Sequence, residues 1–141
     1  IGVPDRPGLA FKVFSKLSAN NINVDIILQS IGRNGTKDIS FTVSQDNLAA
    51  TMEILTPYVD LLGATSAVFD ENVAKVSIVG AGMETHPGVA ATMFEALYDA
   101  NINIQMISTS EIKISVLIDR KDADKAVVTV HNKFFNEDMQ R

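Results

Sequence analysis

The sequence predicts an α+β protein made of two copies of one β-α-β-β-α-β unit, each a ferredoxin-like antiparallel sheet with both helices on one face. Two observations carry that prediction. First, Asp5-Arg6-Pro7-Gly8-Leu9-Ala10 leads through Phe14 and Leu17 to Asn21-Ile22-Asn23, and Thr85-His86-Pro87-Gly88-Val89-Ala90 leads through Phe94 and Leu97 to Asn101-Ile102-Asn103. Across 5–30 and 85–110 ten pairs are identical in one ungapped register, which makes the chain a tandem duplication. Second, the apolar period switches between helical and alternating in the same order in both halves.

In the first repeat, Ile1-Gly2-Val3 is the end of a strand that is cut short. After Pro7, Leu9, Val13 and Leu17 recur at helical spacing with Ala10 and Phe14 beside them, and Asn20-Asn21 ends the helix. Val24, Ile26 and Leu28 alternate with polar residues as a strand, Asn34-Gly35 is a hairpin turn, and Ile39, Phe41 and Val43 form the returning strand. Asp46 is expected to cap a second helix with Leu48, Met52 and Leu55 inward, and 64–69 to form a fourth strand.

The second repeat reads as strand 73–79, helix 88–100, strand 103–108, a turn at Ser110-Glu111 and strand 112–118. Asp122 is then expected to cap a helix that buries Ala123, Ala126, Val127, Val130 and Phe134. No apolar fourth strand follows, so that strand is expected from outside these residues. The expected domains are 1–70 and 71–141, units small enough to need a neighbour, whose uncovered sheet edges point to side-by-side association.

A net charge of −5 and a pI of about 4.9 argue against sequence-independent nucleic-acid binding, which needs a basic face. The absence of cysteine excludes disulfides, thiolate metal sites and cysteine catalysis. No apolar run approaches the length of a membrane span, and the expectation is a cytoplasmic protein. His86 and His131, the two histidines, stand without cysteine or clustered carboxylates, so no metal site is expected. Gly80-Ala81-Gly82 has Thr85 where a dinucleotide fingerprint needs its third glycine. No nucleophile–base set or paired carboxylates can be assembled, and no catalytic residue or cofactor is expected.

The loops carry the functional reading. A helix opened by Pro-Gly exposes unpaired N–H groups and its positive pole, a seat for a carboxylate or phosphate, and glycine lets a ligand approach the backbone. One copy alone reads as an ordinary helix start; two, each followed by Asn-Ile-Asn, favour a pair of pockets. Asn21, Asn23, Asn101 and Asn103 read either as helix-stop and turn residues or as amides that recognise an amino acid's amino and carboxyl groups. Asp25 stands where the second repeat has Gln105, and Gln29 where it has Thr109, so the pockets are expected to differ in specificity.

The Asp5-Arg6-Pro7-Gly8 and Asn21-Ile22-Asn23 blocks, Val79-Gly80-Ala81-Gly82-Met83 with His86-Pro87-Gly88-Val89, and Ile107-Ser108-Thr109-Ser110-Glu111-Ile112 together resemble the tandem ACT-domain regulatory region of aspartate kinases over nearly the whole chain. The resemblance implies a non-catalytic module that senses threonine and lysine for feedback inhibition of a separate kinase domain or subunit. It also implies a homodimer with pockets where ACT units meet. Carried over by position, a threonine-like site uses Asp5, Gly8, Ala10 and Gln29 with Asn103 and Ile104 from the second repeat. A lysine-like site uses Met83, Thr85, Gly88 and Ala90 with Asn23 and Asp25, the carboxylate of Asp25 suiting an ammonium group. The alternative is an ACT-type sensor of another amino acid attached to a different metabolic enzyme.

Overall fold

Periodic apolar residues do place helices and strands as the repeat implies, and the computed structural model describes them over residues 1–32, 34–80 and 88–139. The chain divides into two compact units, Ile1–Phe69 and Asp70–Arg141. The first contains β1 (Val3–Pro4), α1 (Leu9–Ala19), β2 (Val24–Ile31), β3 (Thr36–Val43) and α2 (Leu48–Leu62). The second contains β4 (Val73–Val79), α3 (Val89–Asp99), β5 (Ile104–Thr109), β6 (Lys113–Asp119) and α4 (Ala123–Met139). Strand order is β1-β3-β2 in one sheet and β4-β6-β5 in the other, all neighbours antiparallel.

Each core forms between one sheet face and both helices of its unit, the arrangement expected of a ferredoxin-like α+β fold. In the first, Leu9, Val13 and Leu17 of α1 and Leu62 of α2 pack with Val3 and Ile22, against alternate β3 residues Ile39, Phe41 and Val43. Phe14 meets Phe41 edge to face at 5.4 Å. In the second, Met93, Ala96 and Leu97 of α3 and Ala126 and Val130 of α4 pack on Val76, Ile114, Val116 and Ile118.

Both first helices end in the same way. Asn21 and Asn101 hold the left-handed conformation at φ 59° and 60°. The Ile22 N–H donates to Leu17 O and the Asn21 N–H to Ser18 O, and Ile102 and Asn101 repeat the pattern onto Leu97 and Tyr98. This is a Schellman stop, closed by contact between a fully buried leucine and a buried isoleucine in each unit.

Several local expectations are corrected. Residues 64–69 are not a strand: Thr65 N–H donates to Ile1 O and the Ile1 amino group to Ser66 O, but β1 is two residues long and offers no ladder to continue. Asp46 lies inside a 3-10 turn, Gln45–Asn47, and Asn47 takes the cap position of α2 without a side-chain hydrogen bond. Asp122 likewise sits in the 3-10 turn Arg120–Asp122, where Asp119 is the cap and accepts from Lys121 N–H at 3.0 Å. The core face of α2 runs through Ile54, Leu55, Tyr58 and Leu62 rather than Leu48 and Met52. Val127 is exposed, because α4 meets the core along Ala126, Val130 and Phe134.

A β-bulge interrupts β2 between Val24 and Ile27, and another interrupts β5 between Ile104 and Met106. One extra residue reverses the facing of every side chain beyond it. Ile27 therefore lies opposite Phe41 and Gln29 opposite Ile39, while Leu28 lies opposite Ser40 and is exposed, against the inward position its alternation suggested.

Candidate effector-binding loops

Helices α1 and α3 begin alike. Gly8 and Gly88 occupy their cap positions with φ 90° and 100°, left-handed values that carry a steric cost for other residues. Among the described residues a Cβ at either position would meet nothing within 4 Å, so the requirement there is conformational. Among the described residues no side chain caps either helix, and neither first turn contains an acidic residue. The first-turn amides and the positive end of each helix thus meet no neutralising group from their own element.

In the first unit the loop before α1 is tied to the central strand. Asp38 Oδ1 accepts from Gly2 N–H at 2.9 Å, Asp5 N–H donates to Gly35 O at 2.8 Å, and Lys37 Nζ lies 3.5 Å from Asp5 Oδ1. The row Val3, Lys37, Ile31 crosses all three strands at this end, and Gln29 is two residues back along β2, on the sheet face that carries the helices. Asp5, Gly8, Ala10 and Gln29 therefore share one end of the unit. Asp5 and Gln29 are exposed there, and Ala10 is half-buried in the first turn of α1.

Asn23 and Asp25 sit elsewhere. They follow the Schellman stop at the far end of α1, an 11-residue helix about 16 Å long. Asp25 is exposed within the bulge, where Ile26 N–H is satisfied by Thr42 Oγ1 at 2.9 Å. The second unit repeats this separation: Gly88 and Ala90 begin α3, while Asn103 and Ile104 follow its other end and Gln105 occupies the bulge. No single unit brings its glycine loop and its Asn-x-Asn segment together. Of the four asparagines, Asn21 and Asn101 serve as helix stops, whereas Asn23 and Asn103 are exposed at the strand starts. Met83 and Thr85, with Ala81, Gly82 and His86, lie outside the described residues.

Sequence reasoning did not pick out Lys37 or the two bulges. Both bulges follow Asn-Ile-Asn, and the identical pair Ile27 and Ile107, an odd number of residues after Val24 and Ile104, is the trace they leave in the sequence. Among the described residues no group of three or more histidines and carboxylates could hold a metal ion, and no helix is long and apolar enough to cross a membrane.

A three-stranded sheet under two helices, twice over, with an uncapped glycine-opened helix in each copy, is the architecture of ACT domains. Residues 1–57 and 76–134 each match a family model described as an ACT domain. The chain is 54% identical over 130 residues to an aspartokinase of Helicobacter pylori and 50% identical over 133 residues to an aspartate kinase of Stutzerimonas stutzeri. These matches cover 92% and 94% of the chain but only 32% of either relative, so the chain spans about a third of their length. The solved regulatory subunit of Thermus thermophilus aspartate kinase, in its ligand-free form, superposes with a TM-score of 0.85 at 41% identity, covering 94% of this chain and 88% of that one. A structure of aspartokinase α and β subunits gives 0.84 at 50% identity, covering 94% and 87%. The chain belongs to the aspartokinase family, as a tandem pair of its regulatory ACT domains.

Proposed function

We propose that this ACT pair is the feedback sensor of an aspartokinase, binding threonine, lysine or both and restraining a kinase catalytic domain on the same or a companion chain. Phosphoryl transfer belongs to that domain, and the residues here carry recognition. The observation that supports this most is the pair of glycine-opened, uncapped helix starts, each suited to an amino acid's carboxylate. Asp5 and Gln29, at the same end of the first unit as Gly8 and Ala10, suit an α-ammonium and a side-chain hydroxyl, which favours threonine there. Asn103 and Ile104 would add further contacts to that ligand.

In the second site Gly88 and Ala90 act with Met83 and Thr85, and Asn23 and Asp25 supply amide and carboxylate groups suited to lysine. An effector that binds one arrangement of the assembly better than another shifts the population toward it. That is how binding becomes a signal. An effector at a hundredfold excess over its Kd stabilises the competent arrangement by about 2.7 kcal/mol, within the usual range of allosteric coupling. A homodimer formed through the ACT domains is the proposed assembly.

Calorimetric titration of the intact chain tests the proposal. Saturable threonine or lysine binding is expected, and threonine binding is expected to be lost on Gly8→Asp, which fills the space above the helix and adds a negative charge. Binding of neither, or tighter binding of a branched-chain or aromatic amino acid, would overturn it.

A further inference from the structure

We infer that Lys37 is a selectivity residue, setting the first-unit site for neutral amino acids and against cationic ones; this rests on the sensing function proposed above. Lys37 lies on the central strand between Val3 and Ile31, its side chain only 19% exposed, with Nζ 3.5 Å from Asp5 Oδ1. The Asp5 backbone is itself fixed by its hydrogen bond to Gly35 O, so this cation is held at the end of the unit where Gly8 opens α1. The Asp5–Lys37 pair thus sets one carboxylate and one ammonium beside the positive helix pole. A zwitterion fits: its carboxylate faces the helix start and its ammonium shares Asp5. A ligand with a second ammonium brings that charge beside Lys37 with no second carboxylate from the Asp5–Lys37 pair to meet it.

The second unit has no cation at the matching position. Ile39 and Ile114 are the facing partners of Gln29 and Thr109, and the residue two before each is Lys37 in the first unit but Ile112 in the second. The two sites therefore differ in charge at Lys37 and Ile112 as well as at Asp25 and Gln105.

The test follows the amide resonances of Gly8 and Gly88 in the intact chain during separate titrations with L-threonine and L-lysine, for the wild type, Lys37→Met and Lys37→Arg. In Lys37→Met the lysine Kd read at Gly8 is expected to fall about three- to tenfold relative to that for threonine, as loss of one partly screened charge allows. Lys37→Arg is expected to restore the wild-type ratio, the Gly88 response to stay unchanged, and raised ionic strength to shrink the difference. An unchanged ratio, or equal shifts for both ligands, would overturn the role of Lys37 while leaving the sensing function in place. A wild type whose Gly8 responds to neither amino acid would overturn the pocket itself and this inference with it.

Discussion

In Asp70–Arg141 the outer strand β4 pairs with β6 over seven residues, Val73 to Val79, whereas in Ile1–Phe69 β1 pairs with β3 over two. The cores follow the sheets. Met93, Leu97, Val116, Ile118 and Ala126 are all fully buried in the second unit, against Leu17 alone among the core residues of the first. The first unit also has Pro57 within α2, which removes a helix hydrogen bond, and a buried Thr51 hydroxyl without a partner. Yet the helix stops, the left-handed glycines and the bulges are the same in both. Local devices written in the repeat survive where the sheet behind them is short, so the glycine helix starts, the helix stops and the bulges are duplicated while the outer-strand pairing and the depth of burial are not.

The sharpest way to break this comparison is to remove the same buried leucine from each unit. Leu17→Ala and Leu97→Ala are each expected to cost about 2–5 kcal/mol. Hydrogen exchange should then show Leu17→Ala stripping protection across the first unit while the second keeps its own, and Leu97→Ala weakening the second without unfolding it. Equal collapse in both variants would show that the extra strand pairing carries no stability of its own.

Gly8→Ala and Gly88→Ala come next, at about 1–2 kcal/mol each from the left-handed backbone alone, since among the described residues no atom stands in the way of the added methyl. Thermal denaturation should give matching losses; a clearly smaller one at Gly88 would show that the two helix starts are not equivalent. Thr51→Val should raise the stability of the first unit by about 1 kcal/mol, by replacing a hydroxyl buried without a partner, and so narrow the gap between units. Smallest of all, Glu95→Gln should shift the second unit by less than about 0.5 kcal/mol, because Glu95, 3.4 Å from Lys133 Nζ, is itself exposed to solvent.

Helix positions were legible in the sequence because α1 and α3 have one buried stripe each, and the stripe is what periodicity measures. The glycine loops were legible too, since Pro-Gly before an apolar stripe has few other readings. Cap identities were less so: Asp119 was passed over for Asp122 because an intervening 3-10 turn moves the cap back three residues. Val24, Ile26 and Leu28 read as one alternating face because the pattern runs straight through a bulge, and 64–69 reads as a strand by composition although almost no partner backbone is there to receive it.

What the sequence determined by itself is the duplication, the helix faces and the chemistry available at each loop, because these depend on residue type and spacing over a turn or two. What only the tertiary structure decided is which residues share an end of a unit. Strand pairing brings Lys37 to Asp5 and places Gln29 on the helix face, and the length of one helix keeps Asn23 away from Gly8. Those facts follow from backbone hydrogen bonds between segments distant in sequence, which no local pattern encodes.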